Sequence, residues 1–192
     1  MLIEMSLSSK SGLTTEELTN ALLSMLRGTS VARVFVIASD EMREVDFDGP
    51  FPIAIIQNTD KKTKPGKHWI CYYIKKFKVC FQDEPLNYCF YFDSFGSSPS
   101  SYNVQTPPGR LITTNFRTLQ SSESALCGHF CLYYAYHCAI GLSYANFLGR
   151  NFSENTAQNE RLVLNFFRNL AINERKIKCT CNQSCCAKNK MD

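Results

Sequence analysis

Three histidines, His68, His129 and His137, share this 192-residue chain with ten cysteines. A thiol acts as a nucleophile only when a base within hydrogen-bond reach can take its proton. Cys127 is a candidate. It is followed at once by Gly128 and opens the apolar run "CGHFCLYYAYHCAI". On a helix beginning near Leu126, His129 would point roughly 200° away from Cys127 around the axis, and His137 would lie about 15 Å along it. Neither could touch the sulfur, so a catalytic pair requires His68.

The acid comes from the next strand. "HWICYYIKKF" (68–77) and "LNYCFYFDSF" (86–95) are aromatic, β-prone runs,. Paired antiparallel in a register whose numbers sum to 161, they would set His68 opposite Asp93, with side chains about 5 Å apart on one face. Asp93 would then fix the useful tautomer of the imidazole and stabilise the imidazolium. Asp83 and Glu84 fall at the far end of the same hairpin. A thiolate at a helix start is favoured by unpaired N–H groups and by the positive end of the helix dipole. The N–H of Cys127 can also serve an oxyanion hole, with the side-chain amide of Gln120, seven residues upstream, as a second donor,. Gly128 allows close packing where substrate would meet the helix.

Further elements must position these groups. "TTEELTNALLSMLR" (14–27) has Thr14 and Glu17 at capping-box spacing and Leu18, Leu22, Met25 and Leu26 on one face, so it predicts an amphipathic helix,. "VARVFVIAS" (31–39) and "FPIAIIQN" (51–58) read as buried strands with an acidic loop between them, and "TDKKTKPG" as a basic, turn-forming connector,. After a loop at 96–109 comes the short element "RLITTNF", then the Cys127 helix closed by Gly141, then a helix over 156–171 with Leu162, Phe166 and Leu170 on one side,. The Cys127 helix is apolar nearly all round and should be buried. Helices at the ends around a cluster of strands give an α+β class.

The segments "AIIQNTDKKTKPGKHW", "YFDSFG" and Gln120 … Cys127-Gly128-His129-Phe130-Cys131 resemble the adenovirus-type cysteine endopeptidases (adenain), whose fold is shared by the SUMO-specific proteases. The likeness spans roughly residues 31–140, extends more weakly to 170 and leaves out the tail. It implies a papain-like, adenain-like α+β fold with a mixed, mainly antiparallel central sheet and a buried helix starting at the nucleophile. It further implies an active site of His68, Asp93, Gln120 and Cys127, with Gln120 in the oxyanion hole. The seven-residue interval from Gln to Cys is that of the viral enzymes, the SUMO-protease interval being one shorter. Asp93 departs from adenain's usual glutamate and matches the SUMO branch or the adenovirus-like proteases of large DNA transposons and related viruses. The His-to-acid interval exceeds the family's usual length, and an enlarged hairpin loop, "KKFKVCFQDEPLNY", absorbs the excess.

By this resemblance the chain is expected to be a thiol endopeptidase that cleaves viral or transposon capsid or core precursors, often after small residues such as glycine. Trp69, beside the base, would cover a narrow substrate groove shared with Gly128. The chemistry requires no cofactor or metal, while an activating basic peptide or DNA is admitted by the resemblance. Two other readings stand beside it: an isopeptidase removing ubiquitin-like modifiers, and a binding module with a dead site.

The totals are compatible with these readings. Hydrophobic residues at 44% and charged residues at 20% indicate a globular chain,. No window approaches the roughly 18 apolar residues of a membrane span. A net charge of +4 permits contact with a polyanion without demanding it,. Cys71, Cys80, Cys89, Cys131 and Cys138 sit inside patterned elements, where reduced thiols act as small core residues. We therefore expect a reducing intracellular compartment: host nucleus or cytoplasm, and the virion for a viral enzyme. Residues 1–175 read as one protease domain and 176–192 as a basic, flexible tail. The cysteines of "CTCNQSCC" are too crowded for the two separated pairs of a zinc site,.

Overall fold

The computed structural model describes residues 12–77, 86–113, 115–142, 147–149 and 152–171. The tail and the 78–85 hairpin loop, the subjects of two of the expectations above, lie outside the described residues. Helix α1 (Thr15–Leu26) begins with the predicted capping box: the Thr14 N–H donates to Glu17 Oε2 at 2.8 Å, and the Glu17 N–H donates to Thr14 Oγ1 at 3.2 Å. Leu18, Leu22, Met25 and Leu26 form its buried face.

Five strands follow: β1 (Arg33–Ile37), β2 (Ile53–Asn58), β3 (Trp69–Phe77), β4 (Leu86–Phe92) and β5 (Arg110–Thr113). They form one sheet in the order β1-β2-β3-β4-β5. It is antiparallel at its centre, between β2, β3 and β4, and parallel at both edges. β2 is buried throughout, as expected, whereas β1 is half-buried because it lies at the sheet's edge.

The β3–β4 register corrects the expected one. Cys71 faces Phe92 and Tyr72 faces Tyr91, so paired numbers sum to 163 rather than 161. Alternation of side chains settles which residues share a face but leaves registers that differ by two residues equally acceptable. The slip is of that kind, so the face assignments survive it.

One face of the sheet, with Ala54, Ile56, Cys71, Tyr73 and Phe92, packs under the helices. The other, with Ile53, Ile55, Ile70, Tyr72, Ile74, Cys89 and Tyr91, is covered by Met42, Val45, Phe47, Tyr102 and Val104 from connecting segments that include two short 3-10 turns. Helix α2 (Cys127–Ala139) has ten of its thirteen residues buried, as its all-round apolar pattern requires,. It closes where predicted. Gly141 adopts φ +85°, and the N–H groups of Gly141 and Leu142 return to the carbonyls of Cys138 and His137,. Residues 156–171 form helix α3. Its buried line is Asn159, Val163 and Phe167, with Leu162, Phe166 and Leu170 as the half-buried flank rather than the centre of the face. Among the described residues no helix is long and apolar enough to cross a membrane.

Candidate active site

His68 is the residue before β3, and its carbonyl accepts from the Thr59 N–H at 2.9 Å, continuing the β2–β3 ladder by one step. Asp93 is the residue after β4. Carried past its last pair, Cys71 with Phe92, this register would set His68 opposite Phe95, and the two rings do stack with centroids 4.7 Å apart. Asp93 is therefore the diagonal neighbour on the same face, and the contact is made: His68 Nε2–H donates to Asp93 Oδ1 at 2.6 Å.

Asp93 is fully buried, and four donors converge on its carboxylate. Oδ1 accepts from His68 and from the Phe95 N–H at 3.0 Å; Oδ2 accepts from the Ser97 N–H at 2.9 Å and the Tyr102 hydroxyl at 2.8 Å. Its main chain is also gripped. Asn115 accepts from the Asp93 N–H at 3.2 Å through Oδ1 and donates to the Asp93 carbonyl through Nδ2. Asp93 also begins a turn: its carbonyl accepts from the Gly96 N–H at 2.9 Å,.

Cys127 is the first residue of α2. The N-cap, Leu126, offers no side-chain acceptor, and no acidic residue occupies the first turn. The first N–H groups of a helix have no partner within it, so an uncapped start of this kind favours negative charge at its first residue. Burial works against a charge on His68, but the hydrogen bond with Asp93 and the neighbouring Cys127 outweigh it and raise the ring's pKa to about 9. His68 Nδ1, the nitrogen left for the thiol, makes no hydrogen bond. Sulfur and ring are therefore neighbours, near enough for the thiol to raise the ring's pKa but short of a hydrogen bond of full geometry, a looseness common in such pairs before substrate arrives,. The nitrogens are used in reverse of the serine-protease template, where Nδ1 holds the acid and Nε2 the nucleophile. Cys71 and Cys131 are fully buried, and burial pushes their thiols far up, which makes them poor nucleophiles,.

Gln120 is fully buried as a residue, yet it borders the cleft. Its Oε1 accepts from the Ser94 hydroxyl at 2.8 Å, and its Nε2 donates to the Ser124 carbonyl at 2.5 Å. An amide nitrogen carries two hydrogens, and the Ser124 contact uses one of them. The cleft itself has a volume of about 890 Å³, and His68, Trp69, Gln120 and Cys127 line it together with Asn58 and Phe95. Trp69 is buried in its wall, with Nε1–H donating to the Leu13 carbonyl at 3.1 Å. Gly128 packs from behind: a β-carbon there would stand 3.2 Å from Leu18 and 3.4 Å from Leu13. That contact seats the α1 lead-in, which forms the cleft's other lip.

The structure thus brings His68, Asp93, Gln120 and Cys127 to one place. His129 is buried against Phe167 and the His137 ring bonds the Tyr133 carbonyl, so both belong to helix packing. Three positions carried no sequence signal of their own. Ser94 and Asn115 lie in loops and Tyr102 ends a short 3-10 turn (Pro99–Tyr102), and their partners lie 9 to 26 residues away. Among the described residues there is no group of three or more His, Cys, Asp or Glu able to hold a metal ion.

No family model matches the sequence, and no curated protein matches it. Among solved structures the chain is similar to that of the selenomethionine ASFV pS273R protease, with a TM-score of 0.50 and 16% identity over 83% of this chain and 70% of that one. At that identity the likeness is one of fold. The expected α+β architecture, a mixed sheet with a buried helix beginning at Cys127, is the one observed, and that protease shares it.

Proposed function

We propose that the chain is a thiol endopeptidase in which Cys127 is the nucleophile, His68 the base and acid, Asp93 the partner of His68, and Gln120 with the Cys127 N–H the oxyanion hole. The observation that carries this reading is the buried His68–Asp93 hydrogen bond of 2.6 Å, set beside the first residue of α2 at the edge of an open cleft. The fold shared with a protease supports it.

The Cys127 thiolate attacks the scissile carbonyl, the C–S bond forms, and the carbonyl oxygen takes the negative charge. Donors fixed in advance stabilise that charge without reorganising. As the C–N bond breaks, the His68 imidazolium passes a proton to the departing amine. Water then attacks the thioester, His68 takes its proton, and the acid leaves with the thiolate restored. Asp93 holds the ring throughout.

In its finer form the proposal takes precursor proteins of a viral or transposon capsid as substrate, cut after glycine, with Trp69 narrowing the groove. A basic peptide or DNA as activator belongs to the same proposal and enters the assay as an added component. The test incubates the purified chain, with and without basic peptide and DNA, with capsid-type peptides carrying glycine before the scissile bond and with ubiquitin-like fusions. Cleavage of the peptides that disappears in Cys127→Ala is the expected outcome. Preference for folded ubiquitin-like fusions would make the chain an isopeptidase instead. Failure of an alkylating probe to label Cys127 would leave a binding module.

A further inference from the structure

We infer that Ser94 is a positioning residue that aims the Gln120 amide and fastens the oxyanion donor to the acid's own strand end; this rests on the endopeptidase reading. Four consecutive residues after β4, Asp93 to Gly96, are joined one by one to residues 115–120. Asn115 grips the Asp93 peptide at both its N–H and its carbonyl. The Ser94 carbonyl accepts from the N–H groups of Leu119 at 2.7 Å and Gln120 at 3.2 Å. Thr118 Oγ1 donates to the Phe95 carbonyl at 3.2 Å. Gly96, at φ +73°, lies so close that a β-carbon would stand 2.7 Å from the Arg117 backbone.

Within this seam Ser94 holds Gln120 twice, main chain by main chain and side chain by side chain. The Ser124 carbonyl can only accept, so the amide nitrogen must face it, and a flipped amide would set two carbonyl oxygens together. That contact chooses the amide's orientation. It leaves rotation about the last side-chain bond, a broad torsion by nature. The second contact, from the Ser94 hydroxyl to Oε1, removes that freedom and directs the remaining N–H into the cleft. Ser94 and Gln120 are both fully buried, so an Oε1 deprived of its donor finds no water to replace it. The residue that follows the acid in the chain therefore sets the second half of the oxyanion hole.

The test measures three quantities in Ser94→Ala, Gln120→Ala and the double variant. The first is kcat on a fluorogenic peptide amide with glycine before the scissile bond. The second is inhibition by the matching peptide aldehyde, whose hemithioacetal oxygen occupies the oxyanion hole. The third is the rate of Cys127 alkylation by iodoacetamide, a reaction that makes no oxyanion. Ser94→Ala is expected to lower kcat about 5- to 20-fold, less than the roughly 10²-fold or greater loss typical of removing an oxyanion donor. It should weaken the aldehyde in proportion, leave alkylation and its pH profile unchanged, and add nothing further in the Gln120→Ala background. Ser94→Thr, which keeps the hydroxyl, should restore most of kcat. Losses that multiply in the double variant, or a slowed alkylation, would overturn the inference while leaving the peptidase reading in place. A wild-type chain that neither cleaves the peptide nor alkylates faster than free cysteine would remove that reading itself.

Discussion

Replacing Asp93 by asparagine probes the electrostatics of the site independently of any substrate. In the folded chain burial disfavours charge on His68, but the Asp93 hydrogen bond and the neighbouring Cys127 raise its pKa from 6.5 to about 9. Each pKa unit corresponds to about 1.4 kcal/mol, so the displacement amounts to about 3 kcal/mol of linked stability. Because the folded value lies above the unfolded one, this stabilisation is fully present below pH 6.5 and is lost as pH rises through 9,. Urea melts of the wild type should therefore show an unfolding free energy that declines by about 3 kcal/mol across that window. In Asp93→Asn the first of the raising influences is gone while burial remains, so the His68 pKa falls and the decline flattens. Ring C–H resonances followed by NMR report the same event directly. Burial pushes His137 the other way, below its ordinary value, so the two rings titrate on opposite sides of 6.5. A flat wild-type profile, an equal slope in the variant, or a His68 ring that loses its proton below 6.5 would each refute the reasoning.

Asn115→Ala takes the side-chain partner from the Asp93 N–H in a buried site and leaves the Asp93 carbonyl with the Gly96 N–H alone, so unfolding free energy should drop by about 2 kcal/mol, with kcat falling more than KM rises; denaturant melts and steady-state kinetics check both. Gly96→Ala forces a side chain into positive φ and against the Arg117 backbone, and a loss of more than about 1 kcal/mol is expected in the same melts. Thr14→Ala removes the α1 cap and should cost about 1 kcal/mol; helix fraying near residue 14 would appear as faster amide hydrogen exchange there.

Local rules recovered the local structure. The Thr14–Glu17 spacing is complete in itself, because both halves of the capping box lie within one turn. The all-round apolar run placed α2 under the sheet, and its first residue falls where Cys127 was expected. Pairing between strands was less legible. A period of two carries the face but no register, and in a hairpin the register is set by the turn chemistry. On α3 the pattern found the correct side but not its centre, since the buried line opens with Asn159, a polar residue bonded to the Leu119 carbonyl that an apolar count passes over. Gln120 was found by spacing alone. Asn115 could not be found that way, because a polar side chain that pairs with backbone leaves no complementary residue in the sequence, and Ser94 pairs with a side chain 26 residues away that no local spacing announces.

The register slip shows what the site geometry depends on. Ile70 and Tyr91 belong to the loop-covered face, and alternation carries that face on to His68 and Asp93, whereas α2 packs against the opposite one. Groups from two faces of a sheet cannot touch through it. They can meet only where the sheet ends, and His68 and Asp93 each stand one residue beyond a strand terminus. A residue past the end of the ladder is freed from the strict in-and-out alternation and can turn toward the edge. Its direction must then be fixed by other means, and that is the work of Asn115 on the Asp93 peptide and of Phe95 and Tyr102 around the imidazole. A slip of two residues was harmless because the His68–Asp93 contact is diagonal and same-faced. A slip of one would have sent His68 and Asp93 to opposite faces and abolished it.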